Sequence, residues 1–275
     1  MEILSNNRLK VLAAYRQQKN CEAEGLFVVE GVKMAEEAFR SGWRIRTICA
    51  TAEAVEALGL QAGNVADEIY EVRHEQLERL SSLRAPQGVW MVVERRTENG
   101  ERGTGNGERR TENGERRTGN GERRTGNELV LALDGIQDPG NMGTILRTCD
   151  WFGVRRVLCS QNTVSCWNPK VVQATMGAIF RTSVEYCDLA ERLSSLAGEG
   201  YTVYGAMLDG ENVFERRTEN GERRTVLVIG NEGHGISPEV AAVVGRKITI
   251  PNIGGTCESL NASVATAILI SEFCR

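Results

Sequence analysis

From residue 128 onward, short apolar and β-branched runs alternate with helical segments. That alternation restricts the carboxyl-terminal half to a parallel sheet with helices on both faces. The strand-like runs are LVLAL (129–133), RRVLCS (155–160), YTVYGAM (201–207), VLVIG (226–230) and KITIP (247–251), with helical patterns near 142–152, 169–178, 188–197 and 259–273. Upstream, FVVE (27–30), RIRTICA (44–50), DEIYEV (67–72) and GVWMVV (88–93) read as strands, between helical stretches such as 31–41 and 74–82. These predict a smaller α/β domain.

A seven-residue repeat separates the two parts. ERRTENG at 94–100 recurs with small changes to Asn127, and ERRTENGERRT returns at 215–225. A heptad would suggest a coiled coil, but no copy carries an apolar residue, so there is no seam to bury. The repeats are expected to be polar, flexible linkers. Interleaved glutamates cancel much of any attraction of their arginines for RNA. The resulting division is 1–93, a linker at 94–127, and 128–275 with the repeat insertion at 215–225.

Several function classes are disfavoured. No stretch approaches the roughly 18 apolar residues of a membrane helix, and the amino-terminal segment lacks a signal-peptide pattern, so a soluble, cytoplasmic protein is expected. Eight cysteines without a CxxC pair, in a chain of 275 residues, read as reduced, buried thiols. His74 and His234 lie at no zinc-like spacing, so no metal is expected. A net charge of −4 argues against gripping nucleic acid by overall charge. Arg8, Lys10, Arg16 and Lys19 form a local basic stretch at helical spacing, which reads first as a solvated helix face.

In a parallel sheet, ligands bind at the carboxyl ends of strands, which directs attention to three loops. The first, DGIQDPGNMGTILRTCDWFG (134–153), follows LVLAL. Pro139 and Gly140 suggest a turn and Asn141 a helix cap, while Met142, Ile145, Leu146, Cys149 and Phe152 form an apolar stripe from which Arg147 points away. The second, IGNEGHGIS (229–237), sets Glu232 among Gly230, Gly233 and Gly235, whose spacing is not that of a dinucleotide fingerprint. The third runs from Ile250 to Phe273, with Ser259 and Asn261 at the entrance of a helix apolar nearly all round. Such a helix is buried on several sides, a subunit interface being one option.

Read in order, the three loops resemble the motifs of the SpoU (TrmH-like) branch of the knotted RNA methyltransferases, over about residues 129–275. A weaker similarity links residues 8–50, especially EGLFVVEGVKMAEEAF, to the ribosomal-protein-like substrate-binding domain often found upstream in that family. The resemblance implies an α/β fold whose parallel sheet ends in a carboxyl-terminal trefoil knot, a small amino-terminal α/β substrate-binding domain, and a homodimer. It implies methyl transfer from S-adenosylmethionine to a ribose 2'-hydroxyl of structured RNA, ribosomal RNA ahead of transfer RNA. Cofactor-binding positions carry over to Gly230, Ile250 and Leu260, and catalytic-site positions to Asn141, Arg147, Glu232, Ser259 and Asn261.

Family proposals give the arginine the role of base, yet a guanidinium stays protonated, so a phosphate clamp and alkoxide stabiliser is the expected role of Arg147. The repeat before VLVIG departs from the family pattern and raises the prospect of perturbed cofactor entry. Two alternatives remain: a non-catalytic RNA-binding or ribosome-assembly protein on the same fold, and an ordinary doubly wound nucleotide enzyme, which the missing glycine fingerprint disfavours.

Overall fold

The computed structural model describes residues 2–60, 65–96, 128–215, 224–256 and 258–275. Most of both repeat blocks, and with them the expectation of flexible linkers, lies outside the described residues.

The amino-terminal part holds β1 (Glu2–Ile3), α1 (Asn6–Ala13), α2 (Gln18–Ala23), β2 (Leu26–Glu30), α3 (Val32–Ser41), β3 (Ile45–Ala50), α4 (Ala52–Leu58), β4 (Glu68–Glu71), α5 (His74–Leu80) and β5 (Val89–Glu94). Its mixed sheet has the order β1-β4-β3-β5-β2. The basic stretch is not one helix face: Arg8 and Lys10 lie on α1, Arg16 on a 3-10 turn (Ala14–Arg16) and Lys19 on α2, and Arg8 is paired with Glu68 of β4 beside the buried Leu9 and Leu12.

The carboxyl-terminal part holds β6 (Glu128–Asp134), α6 (Pro139–Phe152), β7 (Arg156–Ser160), α7 (Pro169–Ala174), β8 (Ser183–Cys187), α8 (Leu189–Gly198), β9 (Thr202–Asn212), β10 (Arg224–Gly230), α9 (Pro238–Ala241), β11 (Arg246–Thr249) and α10 (Ala262–Phe273). Its six strands run in the order β11-β9-β10-β6-β7-β8, every pair parallel. Alternate residues divide between its two faces. Leu131, Leu133, Leu227 and Ile229 pack with the buried side chains of α6, α7 and α10, whereas Val130, Ala132, Val226 and Val228 pack with Leu193 and Leu196 of α8. The period of two thus feeds two cores from one sheet, as expected of a sheet buried on both sides.

Four local expectations need revision. β8 was not foreseen: it is an edge strand, and SVEYC is at best half-buried along its length. Without the apolar density of an interior strand, it carries little periodic signal. α10 begins at Ala262 rather than 259, because Asn261 caps it. Pro139 and Gly140 are not a turn outside the helix but its first residues, with Asp138 as the cap. The strands also reach into the repeats, since Glu94 ends β5 and Arg224 and Thr225 begin β10.

The two sheets share one apolar core. Phe27 of β2 stacks near Trp167, with ring centroids 4.8 Å apart, and Trp43 meets Phe180 edge-on at 5.5 Å. Arg95, just past β5, lies over the Trp167 ring at 5.2 Å, and Arg181 joins Glu37 of α3 to Asp150 of α6. Replacing the fully buried Phe27 by alanine is therefore expected to cost about 3–5 kcal/mol and to loosen both sheets. Urea unfolding followed by tryptophan fluorescence would report this, and an unchanged midpoint would contradict the shared core.

Cys21, Cys49, Cys149, Cys159 and Cys166 are buried, and Cys187 and Cys274 half-buried. Burial pushes the Cys49 and Cys166 thiols up to about 12, so they stay protonated and unreactive at neutral pH. Among the described residues, no helix is long and apolar enough to cross a membrane, and no group of three potential metal ligands occurs.

Candidate active site

The three loops meet at the carboxyl ends of β6, β10 and β11. Asp138 accepts a hydrogen bond from the Asn141 backbone at 2.7 Å, and Pro139 occupies the position where a missing N–H costs nothing. The cap is thereby supplied by Asp138, correcting the expectation for Asn141, whose side chain is left free. Asn141 uses it to donate from Nδ2 to Glu232 Oε1 at 2.7 Å. Its Oδ1 in turn accepts from Asn261 Nδ2 at 2.9 Å. Asn261 Oδ1 accepts the Ser263 and Val264 amides at 3.0 and 3.3 Å, closing the first turn of α10.

Asn261 is therefore both a helix cap and a member of the site. The bonds form one polarised chain, running from the amides of α10 through Asn261 and Asn141 to the Glu232 carboxylate. Because each amide has one face fixed by its neighbour, neither can flip, and bonds arranged head to tail reinforce one another. Residues 120 and 91 positions apart in sequence are joined in two steps. The other oxygen of Glu232 has no hydrogen bond among the described residues and remains an open acceptor.

Beside this chain lies a cavity of about 720 Å³, lined by Gly230, Ile250 and Leu260 and also by Glu232 and Ser259. All three positions expected to bind the cofactor thus face one space, and Leu208, Ile229 and Leu269 give it an apolar wall. Gly230 is required by close approach: a Cβ there would stand 2.2 Å from the Gly235 carbonyl carbon and 2.3 Å from the Ile236 nitrogen. The loop is tied by reciprocal backbone bonds between Asn231 and Gly235, both 2.9 Å. Asp134 accepts the Ser237 amide at 2.7 Å, and Asn231 Nδ2 donates to the Gly135 carbonyl at 2.7 Å, fastening the loop to the end of β6.

Arg147 is not brought to this group. It is exposed on α6, two turns past Asn141, and neither lines the cavity nor joins the hydrogen-bonded chain. Conversely, sequence reasoning gave no role to Asp138, Asn231 or Asp134. An aspartate directly before a proline that opens a helix is a recognisable cap signal, whereas nothing local marks Asn231 as the brace between two loops. A larger cavity, about 1010 Å³, opens in the amino-terminal domain between Ser5, Thr51 and Arg73. Ser5 and Thr51 there already cap α1 and α4.

Residues 128–271 match the SpoU rRNA Methylase family, and residues 6–90 match the MRM3-like substrate binding domain. Over 270 residues the chain is 24% identical to the 23S rRNA (guanosine(2553)-2'-O)-methyltransferase RlmP of Bacillus subtilis, covering 98% of this chain and 97% of that one. A solved putative RNA methyltransferase of the TrmH family from Porphyromonas gingivalis is 36% identical, with a TM-score of 0.79 and coverage of 99% and 98%. An AdoMet-bound rRNA methyltransferase from Sinorhizobium meliloti is 26% identical, with a TM-score of 0.77 and coverage of 99% and 96%.

Proposed function

Since the chain belongs to the SpoU rRNA Methylase family, we propose that it transfers a methyl group from S-adenosylmethionine to a ribose 2'-hydroxyl of structured RNA, ribosomal RNA ahead of transfer RNA. The observation that carries this reading is the convergence of Asn141, Glu232 and Asn261 beside the cavity of Gly230, Ile250 and Leu260. The cavity suits the cofactor: its apolar wall would take an adenine, and the bare backbone at Gly230 allows a ligand to approach main-chain groups closely. Backbone groups at Gly230, Ile250 and Leu260 would hold it there. The family's trefoil knot accounts for the way the loops after β10 and β11 meet the entrance of α10.

When bound, S-adenosylmethionine supplies an electrophilic methyl on a sulfonium. The protein's part here is alignment. Glu232, fixed by Asn141, offers its free oxygen to a hydrogen-bond donor of the bound RNA, and Ser259 lines the same space. The domain matching the substrate-binding family, locked against the catalytic sheet by Phe27, Trp43, Trp167 and Phe180, presents RNA at a constant distance.

The finer reading includes a homodimer. Val264 on α10 and Trp151 on α6 are 48% and 85% exposed, and the two helices pack together. A second copy would cover these two exposed side chains. Arg147 stands one turn before Trp151 on that face, so pairing is the route by which its guanidinium would come to a site and clamp a phosphate.

The test is transfer of tritiated methyl from S-adenosylmethionine to ribosomal RNA taken from cells lacking the protein, followed by nucleoside analysis for a 2'-O-methyl product. Binding of the cofactor without transfer to any RNA would favour the assembly-protein reading. In the same assay, Arg147→Lys is expected to lower kcat/KM for RNA by about tenfold or more, since a lysine lacks the planar fork, with cofactor affinity unchanged. Full turnover by that variant would exclude a role for the fork.

A further inference from the structure

We infer that His234 accepts the proton of the ribose hydroxyl during methyl transfer, an assignment that rests on the methyltransferase reading above. Its loop was singled out for Glu232 and the glycines, and the mechanism so far leaves the proton without a destination. Arg147 cannot take it, because a guanidinium has no lone pair to offer. An ordinary carboxylate is a weaker base than an imidazole by about two pKa units, and Glu232 already accepts from Asn141.

The geometry fixes which nitrogen of His234 carries hydrogen. Asn231 donates from Nδ2 to the Gly135 carbonyl at 2.7 Å, and its Oδ1 accepts the Gly233 and His234 amides at 2.8 and 3.1 Å. With a carbonyl on one side and two N–H groups on the other, the Asn231 side chain has a single orientation. The His234 ring sets Nδ1 3.2 Å from that same Oδ1. An amide oxygen has only lone pairs, so the contact is attractive when Nδ1 carries the hydrogen and repulsive otherwise. In the neutral ring, Nε2 is then left with its lone pair, and it has no hydrogen-bond partner among the described residues.

The base is also in the right room. His234 lines the same cavity as Glu232, Ser259, Gly230 and Leu260. The loop that carries it is closed by the Asn231–Gly235 bonds and braced to β6 through Gly135, so the ring is aimed from a fixed support. A carbonyl holding an asparagine that holds the histidine Nδ1–H performs the orienting task that a carboxylate performs in hydrolytic triads.

The step balances without a further reactant. The ribose O2'–C bond forms as the S–CH3 bond breaks, the sulfonium becomes a neutral sulfide, and the hydroxyl proton passes to Nε2. The single positive charge moves from sulfur to imidazolium. The charged residues that share the cavity lining with His234 are Glu232 and Glu258; Asp134 and Asp138 are engaged by the Ser237 and Asn141 amides.

Two measurements on the full chain decide the matter. Nitrogen-15 NMR of histidine-labelled protein, free of ligand, should find the Nδ1–H tautomer at His234. His74 serves as the comparison, since its Nε2 lies 3.5 Å from the Glu78 carboxylate, which favours hydrogen on Nε2 there. His74→Gln assigns the two signals. In single-turnover transfer to ribosomal RNA, His234→Asn, which keeps a donor for Asn231 but has no base, should lower the rate by on the order of 10². Its affinity for S-adenosylmethionine by calorimetry should stay within about twofold. An Nε2–H tautomer at His234, or a wild-type rate in His234→Asn, overturns the assignment. If the unmodified chain transfers no methyl, the reaction itself is refuted and the role goes with it, whereas the tautomer still reports on the loop.

Discussion

Gly230→Ala is expected to weaken S-adenosylmethionine binding by about 10³-fold, equivalent to about 4 kcal/mol, and to destabilise the fold by about 1–3 kcal/mol through overpacking. The added Cβ would stand 2.2, 2.3 and 2.5 Å from the Gly235 carbon, the Ile236 nitrogen and the Gly235 oxygen. These are backbone atoms, so no rotamer relieves the contact. The loop must move, and with it the Asn231–Gly235 bonds and the cavity wall. Gly233→Ala is the control: its Cβ would find Asn231 Oδ1 as its nearest neighbour at 3.6 Å, an ordinary contact. Calorimetric affinity and urea midpoints for the two variants should diverge sharply. Equal affinities would remove Gly230 from the cofactor site.

The second large effect is expected at Asn141. Asn141→Ala deprives Glu232 Oε1 of its donor and Asn261 Nδ2 of its acceptor, breaking the hydrogen-bonded chain at its middle. The rate of methyl transfer should fall by up to about 10³, the range seen when a single positioned donor is lost from an active site. Stability should change by less than about 1 kcal/mol, because the helix cap is Asp138 and uses the Asn141 backbone rather than its side chain. Asp138→Ala should show the complementary pattern, losing about 1 kcal/mol of stability with a smaller effect on rate. Were Asn141→Ala to lose stability and keep activity, the capping reading would return and the functional one would fall.

How far these residues were legible depended on whether their signal was local. The alternation of apolar runs with helices foretold the parallel sheet, because interior strands are apolar on both faces. β8 escaped for the converse reason, being a half-exposed edge strand. At Asn141 local chemistry suggests a helix cap, and Asn261 stands at a helix entrance. In the structure Asn261 is a cap and the cap of α6 is Asp138, a distinction that depends on where α6 starts. The Asn141–Glu232 bond spans 91 residues, and no spacing rule could have joined the two. Only the joint likeness of three loops to one family pointed there. Arg147 marks the opposite limit: the resemblance nominated it, yet within one chain it stays outside the hydrogen-bonded group, because the exposed face of α6 turns it away.

The register of β6 on β10 has a practical consequence for protein engineering. Glu128 and Arg224, the first residues after or at the end of the two repeat blocks, are direct partners, and the pairing continues rung by rung to Asp134 and Gly230. Both blocks thus return the chain to the sheet at the amino ends of neighbouring strands, the end away from Gly230. The pairing from those two residues onward sets the alignment at the other end. Whole heptads could be deleted or duplicated before those residues, or a fluorescent reporter spliced between Arg96 and Glu128, while seven paired rungs keep the catalytic loops in step.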